Sequence, residues 1–191
     1  MTTICLIRHG QTNWNKNFLI QGRENIPLNE TGINQAKITG NILKDIDPNW
    51  DIIISSPLIR AVHTAEIIKD ILNLNTTIII NNQVIERQFG KAEGLTISDE
   101  VYARINSDDY EGLETCKDLQ NRSMNAILDI VKNYQNKKIL IVTHSHFIKG
   151  LLTQVDNNFT WTTTLKNASI NYVYLNDEFK IVDYKINIQK K

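Results

Sequence analysis

The sequence predicts an α/β fold, a three-layer sandwich in which a mostly parallel central sheet has helices on both faces. Short apolar runs typical of buried strands alternate with longer segments whose apolar residues recur at helical spacing. Such alternation favours a parallel sheet, because the crossover helices cover both of its faces. The chain has 191 residues, 41% of them hydrophobic, so it can bury a sizeable core. No repeat or linker interrupts it, and we expect one domain over residues 1–191.

Strands are expected where short β-branched and apolar runs lie between turn signals. They are Thr3–Arg8, Asp51–Ser55, Thr76–Ile80 and Lys138–Thr143, followed by a closing hairpin of Ala168–Leu175 and Phe179–Tyr184. An exposed edge strand in this hairpin would support a homodimer.

Helices are expected over Gly32–Lys44, from Pro57 to Leu72, over Glu114–Asn133 and near Phe147–Leu152. Asn29 is the candidate N-cap of the first helix. Ser56 is the candidate N-cap of the second, with Pro57 at its first position.

The segment from Phe89 to Gly112 differs from the rest, because it carries Gly, Asp and Ser and little regular periodicity. We interpret it as an excursion over one edge of the sheet and as a candidate lid. Together with the loop Asn13–Asn25, it is expected to set the selectivity of any ligand site below it.

The charge balance excludes some classes of function. Lys+Arg and Asp+Glu both count 21, which argues against a protein that binds nucleic acid or a membrane surface by bulk electrostatics. The N-terminus lacks the pattern of a signal peptide, and no apolar run is long enough to span a bilayer. Cys5 and Cys116 show neither metal spacing nor a disulfide framework, so we expect two free thiols in a reducing cytoplasm.

Basic side chains follow the predicted strands. Arg8 and His9 come at the end of the first, Arg60 lies just inside the helix after the second, and His144 follows the fourth. Because the carboxyl ends of parallel strands form the ligand-binding edge of a sheet, these side chains are expected to converge. The guanidinium fork matches two phosphate oxygens at once, so the set indicates a phosphate site.

These residues stand in a series of motifs that resembles the histidine phosphatase superfamily, in the branch related to cofactor-dependent phosphoglycerate mutase. The matching blocks, in the family's order, are Leu6–Asn15, Gln21–Arg23, Pro27–Gly32 with Gln35 and Ala36, Ser55–Ala61 with Thr64 and Ala65, Glu86 with Phe89, Gly90, Glu93 and Gly94, and Thr143 with His144. An Arg-His-Gly triplet alone is a weak signal, whereas these blocks in order are specific.

The resemblance implies a phosphoglycerate mutase-like fold and a role for each matching residue. By this resemblance, His9 is the nucleophile and Glu86 is the general acid. The equatorial phosphoryl oxygens are held by Arg8, Arg60 and His144. Asn15 binds phosphate, and Gly22 or Arg23 lines the entrance. Ser145 stands where the family usually has Gly, and we take it as an extra phosphate donor. His146 is expected either in the pocket or on the helix surface. No metal or other cofactor is implied.

Elementary chemistry agrees with these roles. A ring nitrogen attacks phosphorus only when neutral, and two nearby guanidinium groups would lower the pKa of His9. A carboxylic acid at Glu86 would protonate the leaving oxygen. Arg87, if it points inward, would lower the pKa of that acid and oppose the role.

The interval from Arg87 to Thr143 is short and lacks the Arg-Arg pair with which the family's mutases grip a substrate carboxylate. Phe89 also stands where those mutases tend to have Tyr. We therefore expect a metal-independent phosphomonoester hydrolase that forms a phosphohistidine intermediate on a small phosphorylated metabolite. The alternatives are a phosphoglycerate mutase-type phosphotransferase and a catalytically inactive binder of phosphorylated ligands.

Overall fold

The computed structural model describes residues 2–188, which contain a six-stranded sheet. The strands are β1 (Thr2–Arg8), β2 (Ile52–Ser55), β3 (Ile78–Ile80), β4 (Ile139–Thr143), β5 (Ile170–Leu175) and β6 (Ile181–Ile188). They lie in the order β3-β2-β4-β1-β5-β6. The first four in this order are parallel, and β5 and β6 are antiparallel to their neighbours. The prediction of a mostly parallel sheet is therefore confirmed.

Helices cover both faces of this sheet. They are α1 (Asn13–Lys16), α2 (Glu30–Ile46), α3 (Ile59–Ile71), α4 (Asp99–Asn106), α5 (Cys116–Asn133) and α6 (Ser145–Leu152). Short 3₁₀ turns occur at Asn82–Val84 and Gly90–Ala92. Among residues 2–188, no helix is both long enough and apolar enough to cross a membrane.

Alternation along β1 divides the core into two layers, because successive strand residues point to opposite faces. Ile4 and Leu6 pack in the cluster that contains α5 and α6. Cys5 and Ile7 pack in the cluster that contains α2 and α3. All four side chains are fully buried, so β1 is a central strand whose position is specified from both sides.

The N-terminus of α3 differs from the prediction. The helix begins at Ile59 with Leu58 as its N-cap, so the prediction of Ser56 as N-cap and Pro57 as first helical residue was wrong by two positions. The Asn25 side chain accepts a hydrogen bond from the Ile59 N–H at 2.8 Å, a cap supplied from a distant loop. The Ser56 side chain instead accepts from the Leu58 N–H and contacts His144, as described below.

Two further differences concern the excursion and the hairpin. The segment from 89 to 112 contains α4, which the sequence analysis did not predict, with Ser98 as its N-cap. In the hairpin, β5 lies between β1 and β6, so β6 alone of the two is an edge strand. Any homodimer formed by strand pairing on this side would therefore use β6.

Two glycines bring the loop after β1 against the start of α2. A Cβ on Gly32 would overlap the carbonyl oxygen of Gln11, and a Cβ on Gly10 would overlap that of Gly32. Asn29 caps α2 as predicted, accepting from the Gly32 N–H at 2.8 Å. Close backbone contact therefore fixes the loop that carries the residues next to His9.

We expect Gly32→Ala to destabilise the protein by about 2 kcal/mol, since overpacking against rigid backbone costs about 1–3 kcal/mol. Helix propensity alone predicts that Gly32→Ala stabilises the protein, because Ala is favoured over Gly by about 1 kcal/mol in a helix. Urea unfolding of the variant decides between these signs. Thr31→Ala, at the exposed neighbouring position, is the matched control and should change the free energy of unfolding by no more than about 0.5 kcal/mol.

Candidate active site

The register of β1 and β4 brings two histidines together. Arg8 is paired with Thr143 across the parallel ladder, so His9 and His144 leave the sheet side by side. The His9 N–H continues the ladder to the Thr143 carbonyl at 3.0 Å. The centroids of the two imidazole rings are 5.1 Å apart.

The hydrogen bonds of His9 determine its tautomer. Its Nδ1 lies 2.7 Å from the carbonyl oxygen of Gly10, and a carbonyl can only accept, so Nδ1 carries the proton. The lone pair of Nε2 is then available, and the Nε–H of Arg60 points at it from 3.3 Å. The side chain is 2% exposed. Burial first, and then the positive charges of Arg60 and Arg8, hold the pKa of His9 well below its ordinary value. His9 is therefore a neutral ring whose unprotonated Nε2 accepts a hydrogen bond from Arg60.

Arg60 is held in place by backbone carbonyls. Its terminal nitrogens donate to the oxygens of Glu24 and Gly22 at 2.6 and 2.7 Å. Burial lowers the pKa of Arg60 to about 10, so it stays charged near neutral pH. Gly22 has a φ of +51°, and a Cβ there would overlap the Glu93 carboxylate, so this loop position requires glycine.

Arg8 and His144 each have a buried side-chain nitrogen without a partner among the described residues. For Arg8 it is Nε, while Nη1 donates to the Leu165 carbonyl. For His144 it is Nδ1, while Nε2 lies 2.7 Å from the Ser56 hydroxyl. Buried polar groups are normally paired, so these two nitrogens are suited to ligand oxygens.

The neighbours of His144 allow the tautomer in which Nδ1 is a donor. The Leu58 N–H donates to Ser56 Oγ at 3.3 Å, and the Ser56 hydroxyl proton can be donated to His144 Nε2. In that tautomer Nδ1 carries the ring proton. Burial first, and then Arg60, hold the pKa of His144 well below its ordinary value, so the ring is neutral.

Glu86 is buried at the N-terminus of α6. Its carboxylate accepts backbone hydrogen bonds from Arg87 at 2.8 Å, Phe147 at 3.2 Å and His146 at 3.3 Å. These bonds and the charges of Arg60 and Arg8 favour the ionised form. Burial outweighs them, so the pKa of Glu86 is raised above its ordinary value.

Three other arginines near Glu86 are paired with other carboxylates. Arg87 pairs with Asp108 at 2.7 Å on the far side, so its charge does not face the acid as the sequence analysis considered. Arg23 and Arg122 both donate to the backbone carbonyl of Glu86, at 3.2 and 3.3 Å, and both pair with Glu114. Arg23 thus supports the Glu86 backbone and does not line the entrance.

A cavity of about 370 Å³ opens above His9. Of the predicted site residues, its walls include Arg8, His9, Asn15, Gly22, Arg60, Glu86 and Ser145. His144 is not among the lining residues; it is fully buried, and its ring packs beside that of His9. Asn15 uses its side-chain oxygen within the capping box of α1 and in a bond from Asn167, which leaves its amide N–H₂ free to face the cavity.

Four wall residues were missed by the sequence analysis, namely Lys149, Thr162, Thr164 and Leu165. Gln21 and Tyr102 also line the cavity, with Asp99 at an exposed position near the mouth, and they belong to the loop and the candidate lid that were expected to set selectivity. Helical spacing would have found Lys149, which follows Ser145 by four residues. His146 also lies in the wall, with its ring edge-on to Phe89 at a centroid distance of 4.9 Å and stacked on Trp161 at 5.7 Å. Of the two positions considered for His146, the structure shows the pocket.

A larger hollow of about 840 Å³ lies at the opposite, amino end of β1 and β4. None of the predicted site residues lines it. Among residues 2–188, no group of three or more side chains is arranged to hold a metal ion.

Neutral histidines, buried arginines and a buried carboxylic acid at the carboxyl end of a parallel sheet define the class of an α/β enzyme that handles phosphate. The chain belongs to the histidine phosphatase superfamily (branch 1), whose family model matches residues 4–187. The predicted family is therefore confirmed.

Individual relatives agree with this assignment. The chain is 40% identical to a phosphatase named PhoE from Bacillus subtilis (strain 168) over 190 residues, which cover 98% of this chain and 96% of that protein. It is 32% identical to a metal-independent phosphoserine phosphatase from Arabidopsis thaliana over 195 residues, covering 96% and 80%. The crystal structure of phosphoserine phosphatase from Entamoeba histolytica in complex with 3-phosphoglyceric acid superimposes with a TM-score of 0.83 at 28% identity, covering 100% and 98%.

We expect the protein to lose stability as the pH falls below about 6.5. His9, His144 and His146 all have pKa values well below the ordinary value because they are buried, so the unfolded chain binds protons that the folded chain does not. Their contribution is complete above the unfolded pKa of about 6.5 and is lost as the pH falls. Glu86 has the opposite effect, because its raised pKa means that the folded chain binds one proton more readily than the unfolded chain.

The net loss between pH 6.5 and 5.5 is expected to be about 2 kcal/mol. Urea unfolding at a series of pH values measures it. His146→Phe, which removes one of the three histidines, should reduce the slope. A free energy of unfolding that is constant over this range would contradict the expectation.

Proposed function

We propose that this protein is a metal-independent phosphomonoesterase that moves a phosphoryl group from a small metabolite to Nε2 of His9 and then to water. The observation that carries the proposal is the neutral His9 ring, whose protonated Nδ1 is bound to the Gly10 carbonyl and whose unprotonated Nε2 faces Arg60. Phosphoryl transfer depends mainly on positioning and on neutralising charge on the transferring group.

In the first step, the Nε2 lone pair of His9 forms a bond to phosphorus while the ester P–O bond breaks. The ring becomes positively charged, and the Nδ1–H bond to the Gly10 carbonyl stabilises that charge. Arg8 Nε and His144 Nδ1, both buried and unpaired among residues 2–188, are suited to donate to the phosphoryl oxygens. The Nε–H of Arg60 is adjacent to Nε2 and turns to a phosphoryl oxygen once the nitrogen is bonded to phosphorus.

Glu86 protonates the leaving oxygen and becomes a carboxylate. In the second step this carboxylate takes a proton from water, whose oxygen attacks phosphorus as the P–N bond breaks. His9 returns to its neutral form, and phosphate is released. The raised pKa of Glu86 supports the first role, and its backbone hydrogen bonds stabilise the ionised form that the second role needs.

Asn15, Gly22 and Ser145 line the phosphate end of the cavity, and we assign the side chains of Asn15 and Ser145 as further hydrogen-bond donors to phosphate. Arg23 is assigned a positioning role, since it contacts the backbone of Glu86 and not the cavity. A cavity of about 370 Å³ suits a small phosphomonoester.

The positions of the arginines in the excursion and in α5 favour hydrolysis over phosphoglycerate mutase-type transfer. Arg104 pairs with Asp109 and Arg122 with Glu114, and neither lines the cavity. No pair of arginines is therefore available from this segment to grip a second substrate. The segment that covers the site is the short helix α4, which we propose as the lid.

The proposed location is the cytoplasm, since Cys5 and Cys116 are free thiols and suit a reducing compartment. We propose a small phosphomonoester as the only partner besides a second copy of the chain. A homodimer would use the edge of β6.

We expect the protein to hydrolyse p-nitrophenyl phosphate in the presence of EDTA, and His9→Ala to lower kcat by about 1,000-fold or more, the scale of losing a catalytic nucleophile. His63→Ala, on the neighbouring helix α3 and outside the cavity walls, is the control and should retain activity. Acid-labile labelling of the wild type by ³²P-phosphorylated substrate, absent in His9→Ala, would identify phosphohistidine. Hydrolysis that survives in His9→Ala would overturn the mechanism, and a wild type that binds phosphate but hydrolyses no ester would favour the inactive binder.

We expect Glu86→Gln to act according to the leaving group. An alkoxide needs a proton, so kcat on an alkyl phosphate should fall about 100–10,000-fold, the range of general acid catalysis. The nitrophenolate leaves readily without a proton. The rate of the first step on p-nitrophenyl phosphate, measured in single turnovers, should therefore fall much less. Equal losses on both esters would argue against Glu86 as the acid. Glu66→Gln, on the exposed face of α3, is the control.

A further inference from the structure

Lys149 is a buried cation in the wall of the cavity that the proposed mechanism does not use. It is 5% exposed, yet it lines the cavity together with Ser145 and His146. It follows Ser145 by four residues on α6, so the two side chains lie on the same face of the helix, about 6 Å apart along its axis. Lys149 is therefore one helical turn from the phosphate end of the site.

The ammonium group has a neutral partner only. Its Nζ donates to the carbonyl oxygen of Trp161 at 2.6 Å, and an ammonium has three N–H donors, so two remain for other partners. No salt bridge of Lys149 is formed within residues 2–188. Burying an ammonium without a counter-charge is costly, which points to a partner that arrives with the ligand. Burial and Arg8 lower the pKa of Lys149 to about 8, although the nearby Glu86 raises it, and Lys149 stays mostly charged at neutral pH.

Counting the charges of the cavity leads to the same conclusion. Arg8 and Arg60 supply two positive charges, which match the two negative charges of a phosphomonoester. Glu86 must be protonated to act as the acid, so it offers no charge to Lys149 in the state that binds substrate. Asp99 lies at an exposed position near the mouth. A bound phosphomonoester with a neutral leaving group would therefore leave one buried cation unmatched.

We propose that Lys149 forms a second anion subsite, which binds a carboxylate on the leaving group of the substrate a few bonds from the ester oxygen. The proposal rests on the proposed function, because it takes the phosphate to lie at His9. A carboxylate is favoured over a second phosphate, because one ammonium matches one negative charge. The Asp99 carboxylate at the mouth would repel a group with a larger negative charge.

The wall beside Lys149 suits such a group. The loop that supplies the Trp161 carbonyl to Lys149 also supplies the Leu165 carbonyl to Arg8, so it holds the cations of both subsites. Between them, Thr162 and Thr164 line the cavity with hydroxyl groups that can donate to a carboxylate oxygen. The preferred substrate is therefore a phosphorylated hydroxy acid or amino acid.

The test uses two phosphate esters that differ only in whether they carry the carboxylate proposed to bind Lys149. 3-Phosphoglycerate has a carboxylate where glycerol 3-phosphate has a hydroxymethyl group. We expect the wild type to prefer 3-phosphoglycerate in kcat/KM, and Lys149→Met to lower the ratio of the two kcat/KM values by about 10–100-fold, the scale of a charge-assisted hydrogen bond, mainly through KM. Lys132→Met, at an exposed position of α5, should leave the ratio unchanged.

Equal preference of the wild type for both esters, or equal losses on both in Lys149→Met, would overturn the subsite. The second result would indicate that Lys149 only supports the fold, which thermal unfolding of the variant measures independently. Hydrolysis of p-nitrophenyl phosphate that depends on His9 shows that the proposed function holds even if the subsite fails. Binding of both esters to His9→Ala, with and without Lys149→Met, tests the subsite separately from catalysis.

Discussion

The site depends on the register between β1 and its parallel neighbour β4. Pairing Arg8 with Thr143 places His9 and His144 next to each other where the two strands end. A shift of one residue would exchange the faces of every β1 side chain, moving Ile4 and Leu6 out of one core layer and Cys5 out of the other. The two buried layers therefore enforce the register, and the register brings the two histidines to 5.1 Å.

Burial shifts the pKa values of two groups in opposite directions within one cavity. Removing water disfavours charge, so it lowers the pKa of His9 and raises that of Glu86. A neutral nucleophile and a protonated acid are the pair that cleavage of a phosphate ester needs. The same desolvation lowers the pKa of Arg60 to about 10, and Arg60 stays charged near neutral pH while its terminal nitrogens donate to two carbonyl oxygens.

Helix α6 connects the two ends of the proposed site. Its N-terminal N–H groups hold the Glu86 carboxylate, its first residue Ser145 lines the phosphate end, and Lys149 lies one turn further along. Any movement of α6 would displace the Glu86 carboxylate and the Lys149 ammonium together. The fully buried Phe147, Ile148 and Leu151 anchor this helix in the core, so the spacing between Glu86 and Lys149 is fixed.

The sequence by itself determined the fold class, the family and the residues at the strand ends. Arg8, His9, Arg60 and His144 could be found because each lies at a fixed place relative to an apolar strand, and strand ends converge in a parallel sheet. Helix α4 carried a local signal as well, with Ser98 before two acidic residues, and careful use of capping rules would have predicted it.

Only the tertiary structure decided which way the remaining side chains point. Arg23, Arg87 and Lys149 are all basic residues near motif positions, yet the first two turn to the backbone of Glu86 and to Asp108, and only Lys149 lines the cavity. Likewise α3 begins two residues after its predicted start, because Asn25, from a loop distant in sequence, caps its first N–H. Such outcomes depend on burial and on partners distant in sequence, and local spacing and residue type contain neither.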